Sequence, residues 1–167
     1  MEILKLSTEW AKSEVFSTRF FIFFAICFLT AAIGFWQLGK TELAKAYILP
    51  VLIAGVLLLT IGIGLFYTNK ARITKFETEY KKDAASFIES EFERIEATLK
   101  EYKTIVFTII PLIITACALI LIFVDKPTWR ASMITTIAML IVILLVDGTA
   151  HARIETYKKQ LESSVKK

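Results

Sequence analysis

Asp147, His151 and Glu155 stand at successive four-residue steps, a spacing that on a helix gathers them along one side. A carboxylate with a histidine one turn later is the beginning of a divalent-cation site, and an acid beside an imidazole can also set its pKa for pH sensing. His151 is the only histidine in the chain, so the ligand set falls short of a zinc or di-iron centre. A hydrogen bond between Asp147 and His151, where the last apolar segment ends, therefore ranks ahead of a metal held by Asp147, His151 and Glu155. Glu91 falls within the stripe of Phe87, Ile95 and Tyr102, and Lys158 within that of Ile154, Tyr157 and Leu161. Both lie at a similar depth beyond the apolar segments, which predicts a partly buried Glu91–Lys158 pair that fixes helix register. The run Glu89, Glu91, Glu93, Glu96 lacks the loop and glycine of a calcium-binding hand and reads as a solvated face.

Catalytic signatures are missing: no glycine-rich phosphate loop, Cys-x-x-Cys or histidine cluster. The expectation is a protein that is not an enzyme and uses no cofactor. No ionisable side chain falls near the middle of an apolar segment, where a charge costs several kcal/mol, so a proton relay or charge-coupled transporter is disfavoured. The polar residues at depth are Thr30, Thr60, Thr108, Thr115, Thr135 and Thr136, whose hydroxyls can bond the preceding helical turn. Cys27 and Cys117 lie inside apolar segments and behave as small hydrophobes.

The elements that position these residues follow from hydropathy. The chain of 167 residues is 56% hydrophobic, with a mean hydropathy of +0.61, and the excess is gathered into four blocks. Each is long enough for the roughly 20 helical residues that cross a bilayer. The spans run from about Phe20 to Leu38, Ala46 to Thr68, Thr104 to Val124 and Arg130 to Val146. Met1 to Arg19 is too long and too acidic for a signal-peptide n-region, which predicts a retained first span. This gives an all-α membrane protein with an N-terminal amphipathic helix (1–18), a transmembrane hairpin (19–68), a charged helical hairpin (69–103), a second transmembrane hairpin (104–147) and a terminal helix (148–167).

Lys40, Lys45, Lys126 and Arg130 are the only members of the 20 Lys and Arg residues in or beside the two short loops. The positive-inside bias therefore puts both termini and the charged hairpin in the cytoplasm, in a bacterial-type inner or plasma membrane. Net charge +4 and pI near 9.0 are explained by this topology, so no nucleic-acid partner is expected. Residues 69–103 must reverse direction; the Ser86–Glu89 capping box and the geometry put the reversal near Asp83 to Ser86. Apolar stripes on all the charged segments predict a cytoplasmic bundle that continues the membrane helices, with residues 1–17 alternatively lying on the membrane surface.

Two further patterns bear on assembly. Lys70-Ala71-Arg72-Ile73 and His151-Ala152-Arg153-Ile154 align without gaps where the second and fourth spans end, raising a duplicated two-helix hairpin against coincidence. Gly55, Gly62 and Gly64 allow close helix approach, either inside one chain or between subunits. The leading expectation is a small membrane protein that self-associates and forms or gates an ion-conducting pore. The alternative is a non-conducting scaffold, sensor subunit or immunity protein that docks a partner through Phe87 and Phe92 of the charged hairpin.

Overall fold

The structure is a computed structural model that describes residues 2–166, so positions 1 and 167 of the expected segments lie outside it. Its elements are α1 (Glu2–Leu38), α2 (Glu42–Ala46), α3 (Ile48–Lys82), α4 (Ala84–Glu101), a π-helical stretch (Tyr102–Ile109), α5 (Ile110–Phe123) and α6 (Pro127–Val165). No strand occurs among the described residues. Four helical rods result, Glu2–Leu38, Glu42–Lys82, Ala84–Phe123 and Pro127–Val165, each long and apolar enough to cross a membrane. The chain is a multi-pass membrane protein of all-α fold.

The expected N-terminal and C-terminal helices are not separate elements. Residues 2–18 are nearly the first half of α1 and residues 148–165 nearly the last half of α6, with no break at either boundary. Along α1 the buried residues Ser7, Ala11, Glu14, Thr18, Phe21 and Ala25 keep alternating steps of four and three, and Ala32 follows one heptad after Ala25, the seam of a left-handed coiled coil. One register thus runs from the charged end into the apolar end. Around this seam Trp10, Ala11, Phe76, Phe87, Ile95, Ile154, Tyr157 and Leu161 form a core at the charged end, drawn from all four rods. Phe21, Ala25, Leu58, Val142 and Val146 form a second core in the apolar half.

The reversal falls where expected, with a different cap. Asp83 is extended, and its Oδ1 accepts from the backbone N–H of Ala85 at 3.0 Å and of Ser86 at 3.2 Å. Ser86 lies inside α4, because an aspartate three residues earlier already satisfies the first free N–H groups. At the other end, Arg130 Nη1 donates to the carbonyls of Leu121 and Val124, both at 3.3 Å, and closes α5. The π stretch precedes Pro111, whose ring would collide with the carbonyl four residues back in an ordinary helix. There Ile110 N–H donates to Ile105 O and Thr108 Oγ1 to Lys103 O, each five residues back.

Gly55 and Gly62 seat α3 on α1. A Cβ added at Gly55 would lie 2.9 Å from Leu29 Cγ and 3.1 Å from its backbone nitrogen; at Gly62 it would meet Ile22 Cγ1 at 2.9 Å and Phe21 Cβ at 3.0 Å. These two glycines therefore serve packing within one chain, whereas Gly64 faces open space. Gly62→Val should cost about 1–3 kcal/mol by overpacking. Gly64→Val should leave the thermal midpoint in detergent nearly unchanged. Equal midpoints for the two variants would refute the assigned packing.

Candidate functional site

At the charged end the apolar core is interrupted by a polar layer built from every rod. The α1 seam carries Glu14 inward between Ala11 and Thr18, leaving it 9% exposed. Arg153 on α6 meets it with two hydrogen bonds, Nε to Oε1 at 2.9 Å and Nη2 to Oε2 at 3.4 Å, and its Nη1 reaches Thr149 Oγ1 at 3.3 Å. One turn further from the apolar half, Glu91 on α4 is 3% exposed and accepts from Arg94 Nε at 2.8 Å and Nη2 at 2.6 Å. Tyr157 donates to Glu91 Oε2 at 2.8 Å, with Ser7 Oγ 2.7 Å from the same hydroxyl. Burial, and then the Glu91 charge, push the Tyr157 pKa well above its ordinary value, so the phenol stays a donor.

Trp10 is the centre of this layer. Its ring stacks on Tyr157 with centroids 5.2 Å apart, and the guanidiniums of Arg94 and Arg72 lie 4.4 and 5.7 Å from its centroid. Arg72 Nη1 also donates to Asn69 Oδ1 at 2.9 Å, and burial followed by the nearby Arg94 charge lower its pKa. Trp10 Nε1 is buried and has no acceptor among the described residues.

Of these side chains Glu14, Trp10, Asn69, Arg72 and Arg94 border a cavity of about 370 Å³ that reaches from Trp10, Arg94 and Ile154 toward Phe21, Leu65, Val106 and Val146. Asp147, Tyr102 and Thr98 line it as well. The π stretch contributes Tyr102, Ile105 and Val106 to the wall. Burial, then the Asp147 charge, raise the Tyr102 pKa above its ordinary value. Toward the apolar half the interior is filled by Phe21, Ala25, Leu58 and Val142. The cavity thus sets charged groups in a largely apolar wall at the boundary between the charged and apolar halves, and is closed toward the apolar half.

Several residues singled out by the sequence stand elsewhere. The Glu91–Lys158 pair is not made: Glu91 is held by Arg94 and Tyr157, while Lys158 Nζ bonds the exposed Glu96 at 3.1 Å. Tyr157, one residue earlier, faces the core, and the rotation of about 100° to the next position carries Lys158 to the rim. Asp147 lines the cavity, but His151 lies edge-on to Tyr102 and Phe107, with ring centroids 5.7 and 5.0 Å away, and its Nε2 is 4.0 Å from Glu155 Oε1. No group of three His, Cys, Asp or Glu among the described residues is close enough to hold a metal ion, so the structure does not gather Asp147, His151 and Glu155 into a site. Phe87, expected as an exposed docking residue, is buried against Phe76 and Tyr80, since both arms of the hairpin turn their stripes inward.

Glu14, Trp10, Arg72 and Arg153 escape a reading of the sequence that examines one segment at a time. The available signal is Glu14 itself, a charge at a seam position of α1. Comparison with known proteins finds no family model, curated protein or solved structure that matches the chain.

Arg153→Ala leaves a buried carboxylate without its partner and should lower stability by about 3–5 kcal/mol. Glu14→Leu in the same chain should recover most of that loss. Thermal midpoints of the two variants in detergent measure this, and a double variant no better than Arg153→Ala would contradict the pairing.

Proposed function

We propose that this is a non-conducting membrane protein, a sensor-type subunit that binds a small polar ligand or headgroup in this cavity. The observation that carries the reading is the cavity itself: about 370 Å³, lined by charged side chains, and closed toward the apolar half by Phe21 and Val146. Concave sites with a few convergent polar groups are the ordinary form of ligand pockets, and π stretches recur at such sites. Charged residues gathered around an indole can also report occupancy, because a bound group alters the field of the whole layer. We place the charged end in the cytoplasm from the Lys and Arg bias, so the cavity opens to the cytoplasmic side of an inner or plasma membrane.

A pore between self-associated copies is the second reading. It is favoured by α5, which packs on α6 but on neither α1 nor α3 among the described residues and leaves Leu112, Leu119 and Ile122 exposed. Under either reading the apolar interior of a single chain carries no ions. The matched exits at Arg72 and Arg153 fit a duplicated hairpin, which would relate the two halves by a pseudo-two-fold axis along the membrane normal.

In nanodiscs, a chain lacking Cys27 and Cys117 but carrying Thr98→Cys should react readily with a membrane-impermeant maleimide. Val142→Cys, in the sealing layer, should stay unlabelled. Failure of Thr98→Cys to react would overturn the cavity reading. Liposomes with the unaltered chain should show no potassium or chloride flux; protein-dependent flux would transfer support to the pore between copies.

A further inference from the structure

The layer around Trp10 does not close its own charge. Three guanidiniums, Arg72, Arg94 and Arg153, meet two buried carboxylates, Glu14 and Glu91. Arg153 is taken by Glu14 and Arg94 by Glu91. Arg72 has the Asn69 amide oxygen and the face of Trp10, and no carboxylate within ion-pair distance among the described residues. A guanidinium does not shed its proton at any ordinary pH, so the charge stays and calls for a counter-charge. Trp10 supplies a second, independent sign: its Nε1 is a donor, the residue is only 8% exposed, and no acceptor meets it among the described residues. A buried donor left unmade costs about 1–3 kcal/mol. Arg72 and Trp10 line the same cavity and together offer donors only.

We infer that the Arg72–Trp10 end of the cavity binds an oxyanion, a carboxylate or phosphate group held by the Arg72 fork. This deepens the ligand-binding reading above and rests on it. The acidic residues that border the cavity do not compete for this end. Glu14 is neutralised by Arg153, Glu101 lies at the exposed rim, and Asp147 precedes Arg153 by six residues on α6, about 9 Å nearer the apolar half. The same oxyanion chemistry has two sources. Leu65 of α3 and Ile105 of the π stretch are exposed cavity-lining residues on elements that do not pack together, and a lipid headgroup would enter between them. The charged end admits a soluble anion.

Trp36 and Trp129 are both exposed, so Trp36→Phe with Trp129→Phe leaves Trp10 as the only indole and its emission as a report from the site. In nanodiscs of phosphatidylcholine, inorganic phosphate and acetate are titrated against sodium chloride at equal ionic strength. In a second arm, phosphatidylglycerol replaces phosphatidylcholine in steps. A saturable change with phosphate or acetate beyond that with chloride assigns a soluble oxyanion; a change with phosphatidylglycerol content alone assigns a headgroup. Arg72→Gln should weaken whichever response is seen by about tenfold or more, the loss of one charge-assisted contact. Arg19→Gln, which alters an exposed arginine beside Phe16, should not. Thermal midpoints establish that both variants are folded, and Arg72→Lys retains charge if Arg72→Gln is not. No response in either arm, or one that Arg72→Gln leaves intact, overturns the inference. If Thr98→Cys is still labelled, the cavity reading survives that failure.

Discussion

Glu14 faces the interior from the α1 seam, and a carboxylate there would be expelled or protonated without a cation to meet it. The two bonds from Arg153 fix the height of α6 against α1. With that height set, Tyr157 comes level with Trp10, and its hydroxyl reaches both Ser7 on α1 and Glu91 on α4. Glu91 in turn orients Arg94 over the indole. Three rods are thus locked in register by a chain of polar contacts that begins at one carboxylate. Apolar side chains could fill the same volume, but they would tolerate slippage by a turn; charged pairs with directional bonds do not. Whether ion pairs add net stability is secondary to the register they impose.

The position of this layer follows from the membrane. A helix seam that continues unbroken from a charged end into an apolar end must change chemistry along its length while keeping its geometry. Ser7, Glu14 and Thr18 lie on the charged side of that change, and Phe21, Ala25 and Ala32 on the apolar side. The crossover is where the dielectric falls, so interactions between charges are stronger there than in water while solvent remains within reach. The cavity occupies this crossover. Small residues let α1 and α3 approach closely in the apolar half, at Gly55 and Gly62, whereas larger side chains, three of them from the π stretch, wall the cavity.

The four spans, the reversal near Asp83 and the helix-packing role of Gly55 and Gly62 are legible in the sequence because each rests on a local constraint: bilayer thickness, chain direction or the lack of a side chain. Residue pairing is not local. An apolar stripe locates a face to within about one residue, and one residue is a rotation of about 100°, enough to exchange Lys158 for Tyr157 as the partner of Glu91. Asp83 and Ser86 are both good caps, and only the backbone decides between them. Asp147 and His151 share a side of α6, but the cavity lies under Asp147 while the rings of Tyr102 and Phe107 cover His151. The π stretch leaves a single trace in the sequence, Pro111, and a proline there is equally compatible with a kink.

Arg72 and Arg153 occupy matching places in Lys-Ala-Arg-Ile and His-Ala-Arg-Ile, and both guanidiniums enter the same polar layer. Their surroundings then diverge. Arg153 faces α1 at the height of a carboxylate; Arg72 finds an amide oxygen on its own helix and an aromatic face on α1. A cation over an indole gains about 0.5–2 kcal/mol, well short of what desolvating a guanidinium costs when no anion meets it. Burial, and then the neighbouring Arg94 charge, lower the Arg72 pKa, and the more distant Glu91 and Glu14 only partly offset them. Water in the cavity can relieve part of that cost, but a single water offers an acceptor without a charge. The imbalance is therefore local to one guanidinium, on the side of the layer that borders the cavity, and that is the place where the bundle has room for a group of opposite charge.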